Sequence, residues 1–107
     1  MEDFVRRTLL FDFYGELLTK HQQAIYEKVV LNDAGYSEVA LEEGISRQGV
    51  HDMIRRCDKQ METYENKLHL MERFLDIRSS IAQIKKIAKE AGNREILTLA
   101  DEVLERL

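Results

Sequence analysis

Proline is absent from all 107 residues and glycine occurs only 5 times. A sheet domain of this length needs many tight turns, and tight turns draw on Gly and Pro. Too few turn-makers are present for β architecture, so the chain reads as long helices joined by a handful of breaks. Hydrophobic residues make up 44% and charged residues 34%, enough apolar material for a core and too much for disorder. The single cysteine, Cys57, excludes an internal disulfide framework and a Cys-rich zinc module. The opening Met1-Glu2-Asp3 has the wrong charge for a secretory leader. No uncharged run approaches the ~18 apolar residues of a membrane span. The expectation is a cytoplasmic protein that touches no membrane.

Apolar periodicity and capping signals divide the chain. Between Asp3 and Leu18, apolar residues recur at three- and four-residue steps (Phe4, Val5, Leu9, Leu10, Phe13, Tyr14, Leu17, Leu18), predicting a first helix. Thr19-Lys20-His21-Gln22 has the spacing of a capping box, so a second helix starts at Lys20 and turns Ala24, Ile25, Val29 and Val30 inward. Asn32-Asp33-Ala34-Gly35 ends it. A short third helix runs from Tyr36 to Glu43 and stops at Gly44. Ser46 is the expected N-cap of a fourth, which meets no breaker until Ser79-Ser80. Gly92 and Asn93 separate off a last helix, Arg94 to Leu107.

The Gly44 break is the informative one. Two short helices joined by a tight turn form a helix-turn-helix when a small residue lies where they cross and the turn residue tolerates left-handed geometry. The second helix must also be tied inward by apolar side chains. Ala40, Gly44, and Ile45, Val50, Met53 and Ile54 meet those needs. The opposite face offers Arg47, Gln48, His51 and Arg55 for base edges, Arg pairing with guanine and Gln with adenine. Ser46, Arg56 and Lys59 suit phosphate positioning. The competing reading is an αα-corner without a ligand, its Arg and Gln merely solvated. Asp52 and Asp58 beside the face oppose phosphate binding.

Charge is uneven: residues 1–46 carry 4 basic and 9 acidic side chains, residues 47–89 carry 10 and 6, and residues 90–107 carry 2 and 5. A basic middle between acidic ends permits local contact with a polyanion although the whole chain is at −4.

Residues 9–22 (LLFDFYGELLTKHQ), 38–56 (EVALEEGISRQGVHDMIRR) and 64–74 (YENKLHLMERF) resemble the YlxM family of bacterial helix-turn-helix proteins. The module is similar to region four of sigma factors, which reads promoter DNA. The resemblance covers residues 4–75 and gives no support to residues 76–107. It implies an all-α helix-turn-helix bundle. It also implies a role as a regulator or in the signal recognition particle pathway, since family members are usually encoded beside that particle's GTPase. Two places depart from the family pattern. Asp33-Ala34-Gly35 stands where Asp-Tyr-Ser is usual, and Gly49-Val50-His51-Asp52 where Ala-Val-Tyr-Asp is usual. Gly49 costs helix stability by about 1 kcal/mol against Ala.

Three apolar seams follow. Ile54, Cys57, Met61, Tyr64, Leu68, Met71 and Leu75 alternate three- and four-residue steps, a heptad pattern. Leu70, Phe74, Ile77, Ile81, Ile84, Ala88 and Ala91 form a second, and Ile96, Leu97, Ala100, Val103, Leu104 and Leu107 a third. Either the C-terminal helices fold back on the N-terminal bundle or they pair with a second copy. The surplus of apolar residues favours a homodimer, with residues 1–60 as the helix-turn-helix domain (motif 36–56) and 61–107 as a dimerising helical extension.

No enzyme reading survives. His21, His51 and His69 lack metal-ligand spacing, Cys57 lies on an apolar seam, and there is no Gly-rich phosphate loop. Glu42-Glu43 and Asp101-Glu102 read as solvated helix charges, and Arg78, Lys85, Lys86 and Lys89 as a basic stretch able to add phosphate contacts. The expectation is a non-catalytic DNA-binding protein, with RNA also within reach, needing no metal or cofactor. The alternative is an accessory protein touching the RNA or GTPase of the signal recognition machinery, an acid-rich N-terminal part offering a dock for a basic partner.

Overall fold

The computed structural model describes all 107 residues and contains six α-helices and no strand, as the scarcity of turn residues predicts. The helices are α1 (Asp3–Tyr14), α2 (Lys20–Tyr26), α3 (Tyr36–Glu43), α4 (Arg47–Leu68), α5 (Leu70–Glu90) and α6 (Arg94–Glu105). A 3₁₀ turn, Gly15–Leu17, follows α1, and a π-helical turn, Glu27–Leu31, extends α2. No helix is long and apolar enough to cross a membrane.

The caps read from sequence are in place. Thr19 Oγ1 accepts from the Gln22 amide at 3.1 Å while Gln22 Oε1 accepts from the Thr19 amide at 3.0 Å, closing the capping box. Asn93 Oδ1 caps α6 through the Ile96 amide at 3.1 Å.

Two expected boundaries moved. The first helix stops at Tyr14 because the chain tightens at Gly15, leaving Leu17 exposed. A Cβ on Gly15 would stand 3.1 Å from the Phe11 ring, and that ring stacks on Tyr26 (centroids 5.3 Å, 10° between planes). The absent side chain makes room for the stack.

The long helix ends at His69, not at Ser79-Ser80. His69 adopts left-handed geometry (φ 56°, ψ 29°), which His enters more readily than most residues with a Cβ. Ser79 and Ser80 lie inside α5, since Ser is only mildly unfavourable within a helix. The heptad seam is therefore cut after Leu68, and Met71 and Leu75 belong to another helix.

The chain forms two compact units, Met1–His69 and Leu70–Leu107, so residues 61–69 go with the N-terminal unit. That unit is built around α4. Val50, Ile54, Cys57 and Met61 form one fully buried line along it, joined by Leu10 and Tyr14 of α1, Ile25 and Tyr26 of α2 and Val39 of α3. Glu65, at the end of the line, is buried and accepts the Tyr14 hydroxyl at 2.6 Å. The C-terminal unit is an αα-hairpin of α5 and α6, turned at Gly92 (φ 67°) and tied by Lys85 to Asp101 at 2.7 Å.

Candidate nucleic-acid interface

The α3–α4 corner has the geometry the sequence predicts. Gly44 is left-handed (φ 68°, ψ 31°) and donates its amide to the Ala40 carbonyl, which also accepts from Ile45 at 3.1 Å. Ala40 is buried at the crossing. Ser46 Oγ accepts the Gly49 amide at 2.9 Å, starting α4. A Cβ on Gly49 would approach that Oγ to 3.1 Å, so glycine leaves the cap uncrowded at some cost in helix propensity.

At 3.6 residues per turn, the side opposite the buried line holds Gln48, Asp52, Arg55 and Lys59, with Arg56 beside them. Arg47, Arg55, Arg56 and Lys59 are exposed and held in no ion pair. Gln48 donates to Asp52 Oδ1 at 3.1 Å across one turn. His51 is half-buried on the flank, its ring stacked on Tyr36 of α3 (centroids 3.9 Å, 19°). Six of the seven expected residues thus stand in the open, and His51 presents an edge while Tyr36 covers a face. Tyr36 was not picked out from the sequence, because α3 gave no sign of which side it would turn to α4.

Two acidic residues of α4 are turned to another use. Asp58 does not lie with the outward cations. Arg7 Nη2 donates to its Oδ2 at 2.8 Å, Arg7 Nε to Oδ1 at 3.2 Å, and the Tyr26 hydroxyl to Oδ1 at 2.6 Å. Next along the same flank, Arg6 grips Glu62 with two bonds of 2.7 Å. Burial opposes the Arg7 charge, but the bond and charge of Asp58 outweigh it and raise its pKa. Burial, then Asp58, raise that of the Tyr26 hydroxyl. The Asp58 objection to phosphate binding is thereby answered: its charge is spent on clamping α1 and α2 behind the recognition helix. The signal was present as acids at 58 and 62 matching bases at 6 and 7, but pairing across about 50 residues is invisible to local periodicity.

Glu42 stays exposed and Glu43 is half-buried, and both are paired. Lys28 bridges both at 2.9 and 3.0 Å, and His21 stands 3.4 Å from Glu43. The Lys28 hydrogen bond holds the Glu43 carboxyl below its usual pKa. These contacts fix the end of α3 to the turn after α2. Among the basic residues of α5, Lys85 is paired with Asp101, which stays exposed as expected of a solvated helix charge, and Arg78 lies over the Phe74 ring.

Comparison with known proteins bears on the same corner. Residues 1–101 match a family described as "UPF0122: Putative helix-turn-helix protein, YlxM / p13 like". The chain belongs to this family. It is 40% identical to a UPF0122 protein of Thermoanaerobacter sp. (strain X514), over 95% of this chain and 91% of the relative. It is 36% identical to the UPF0122 protein YlxM of Bacillus subtilis (strain 168), over 100% of this chain and 97% of that protein. A relative from Shouchella clausii (strain KSM-K16) is 38% identical, over 96% and 95%. The likeness to the YlxM / p13 family extends through α5 into α6, beyond residue 75 where the sequence motifs ended.

Proposed function

We propose that this chain is a non-catalytic, cytoplasmic nucleic-acid-binding protein that docks α4 in the major groove of duplex DNA and acts as a regulator. The observation that carries the reading is the exposed surface of α4: four cations without a partner face solvent, Arg55, Arg56 and Lys59 along its outward side and Arg47 at its first turn, while the flanking acids are neutralised from behind. Arg47, Gln48, His51 and Arg55 are assigned to base edges, and Ser46, Arg56 and Lys59 to the backbone. A homodimer would present two such helices, as two-fold DNA readers do. Asp52 remains the one carboxylate on this face, and its bond to Gln48 must open for Gln48 to reach a base.

The test is selection from a random duplex pool at moderate salt, repeated with structured RNA. Enrichment of a short DNA motif, with affinity falling steeply as salt rises, supports the regulator. Retention of the signal recognition RNA or its GTPase without any enriched duplex replaces it with the accessory-protein reading.

A further inference from the structure

The C-terminal unit poses a problem of size. It has 38 residues in two helices, and units below about 40 residues seldom hold together without a disulfide, a metal or a partner. The only cysteine is elsewhere, at position 57. Few apolar residues of the hairpin are buried: Met71, Ala88 and Ala100 are covered, but one side is left open. That side carries Ile77, Ile84 and Ile87 of α5 and Ile96, Leu99 and Val103 of α6, between 39% and 67% exposed. Ile84, Ile87 and Ile96 line a shared hollow of about 160 Å³, so the two helices contribute to one continuous patch.

The spacing of the patch shows what kind of surface fits it. Ile77 and Ile84 are seven apart on α5, and Ile96 and Val103 seven apart on α6. A seven-residue repeat is the pattern of helices packing side by side at shallow angles, as in four-helix bundles. The charges narrow the partner further. Helix α5 carries 5 basic and 3 acidic residues, and α6 carries 1 and 4. A two-fold axis parallel to the helices lays α5 of each copy against α6 of the other, so opposite charges meet at both contacts at once, whereas an axis across the helices would set like charges together. A partner of single-sign charge would match one helix and repel the other.

We infer that the α5–α6 hairpin is a self-association module whose Ile77–Ile84–Ile87 and Ile96–Leu99–Val103 side packs on the same side of a second copy, completing an antiparallel four-helix bundle. This gives the homodimer a surface distinct from the seam along α4, whose residues are already buried within the N-terminal unit. It supplies the pair of recognition helices used by the nucleic-acid reading but does not depend on that reading.

The test is sedimentation velocity of the full chain from 1 to 100 μM (concentrations set on the order of ordinary dimer affinities), with circular dichroism alongside. Wild type is expected to be dimeric at low micromolar concentration. Ile84→Glu and, separately, Ile87→Glu should weaken association by at least about 100-fold while keeping wild-type helicity. Ile87 is two-thirds exposed, so its substitution leaves the hairpin intact if the first variant does not. Leu41→Glu, at the most exposed apolar residue of α3, should leave the dimer untouched. A wild type that stays monomeric at 100 μM overturns the inference. So does a dimer that survives both isoleucine substitutions or is lost with Leu41→Glu. Duplex binding is read separately: its absence from an intact dimer removes the nucleic-acid reading and leaves the assembly standing.

Discussion

The Tyr26 hydroxyl donates to Asp58 Oδ1 at 2.6 Å, tying the end of α2 to the middle of α4 from inside the N-terminal unit. Arg7 holds the same carboxylate from α1, with its guanidinium 5.7 Å from the centre of the Tyr26 ring. Asp58→Ala leaves a buried hydroxyl and a partly buried guanidinium without their acceptor, and should cost about 2–3 kcal/mol. Tyr26→Phe removes one bond and should cost about 1 kcal/mol. In the double variant the tyrosine change should add little, because its partner has already gone. Urea unfolding midpoints check all three, and full additivity would show that the contacts act separately.

The exposed cations of α4 should behave oppositely. Arg47→Ala and Arg55→Ala break no ion pair, so the unfolding midpoint should move by less than about 0.5 kcal/mol. If they read bases, each should lose about 1–3 kcal/mol of affinity for a selected duplex and relax the preference at one position. Lys59→Ala should weaken all duplexes alike and reduce the salt dependence. Binding titrations on matched and mismatched duplexes separate the two patterns.

Gly44 tests the corner without touching the interface. Its φ is 68°, and an added Cβ would meet nothing within 4 Å, so any cost is conformational. Gly44→Ala should lose about 1–2 kcal/mol, and Gly44→Asn less, since Asn enters the left-handed region more readily. Equal losses for the two, by thermal unfolding, would contradict this account.

Cys57 is buried in the core line, and burial followed by the Asp58 charge pushes its thiol up to about 11. The native thiol should therefore resist a disulfide reagent at pH 8 and react once the chain is unfolded. Stability follows the same shift. The thiol stays protonated in the folded state while the unfolded thiol ionises near pH 8.5. Its contribution is thus complete below that value and declines as pH rises toward the folded pKa. Cys57→Ala should flatten this decline in unfolding measured from pH 8 to 10.

What could be read in advance was whatever is encoded over a few residues. The Thr19 capping box, the Gly44 turn, the Ser46 and Asn93 caps and the inward Val50 and Ile54 each depend on spacings of a few positions, and each is present, although Ile45 and Met53, expected inward with them, are only half-buried. Backbone choices by residues of mixed preference were not legible. His69 stops a helix because it tolerates left-handed geometry, while Ser79 and Ser80 continue one. Long-range pairing was hidden for a different reason: Asp58, Glu62 and Glu43 look like surface charges until the fold brings Arg7, Arg6 and Lys28 to them. On α4, Gln48, Arg55 and Lys59 were legible as outward, but Arg47 falls nearer the buried line and is open only because it begins the helix, and the Tyr36–His51 stack was not legible.

Helix α4 runs unbroken from Arg47 to Leu68, so the segment assigned to the groove and the axis of the N-terminal core are the same rod. Its outward side chains start from a backbone already fixed by the buried line behind them. No folding entropy is left to be lost on docking, and encounter should proceed at a rate set by diffusion and charge steering rather than by ordering of the helix. The same continuity has a cost in adaptability. The start of α4 cannot tilt unless the core moves with it, so if it docks in a groove as proposed, deformation in the complex should be borne by the DNA.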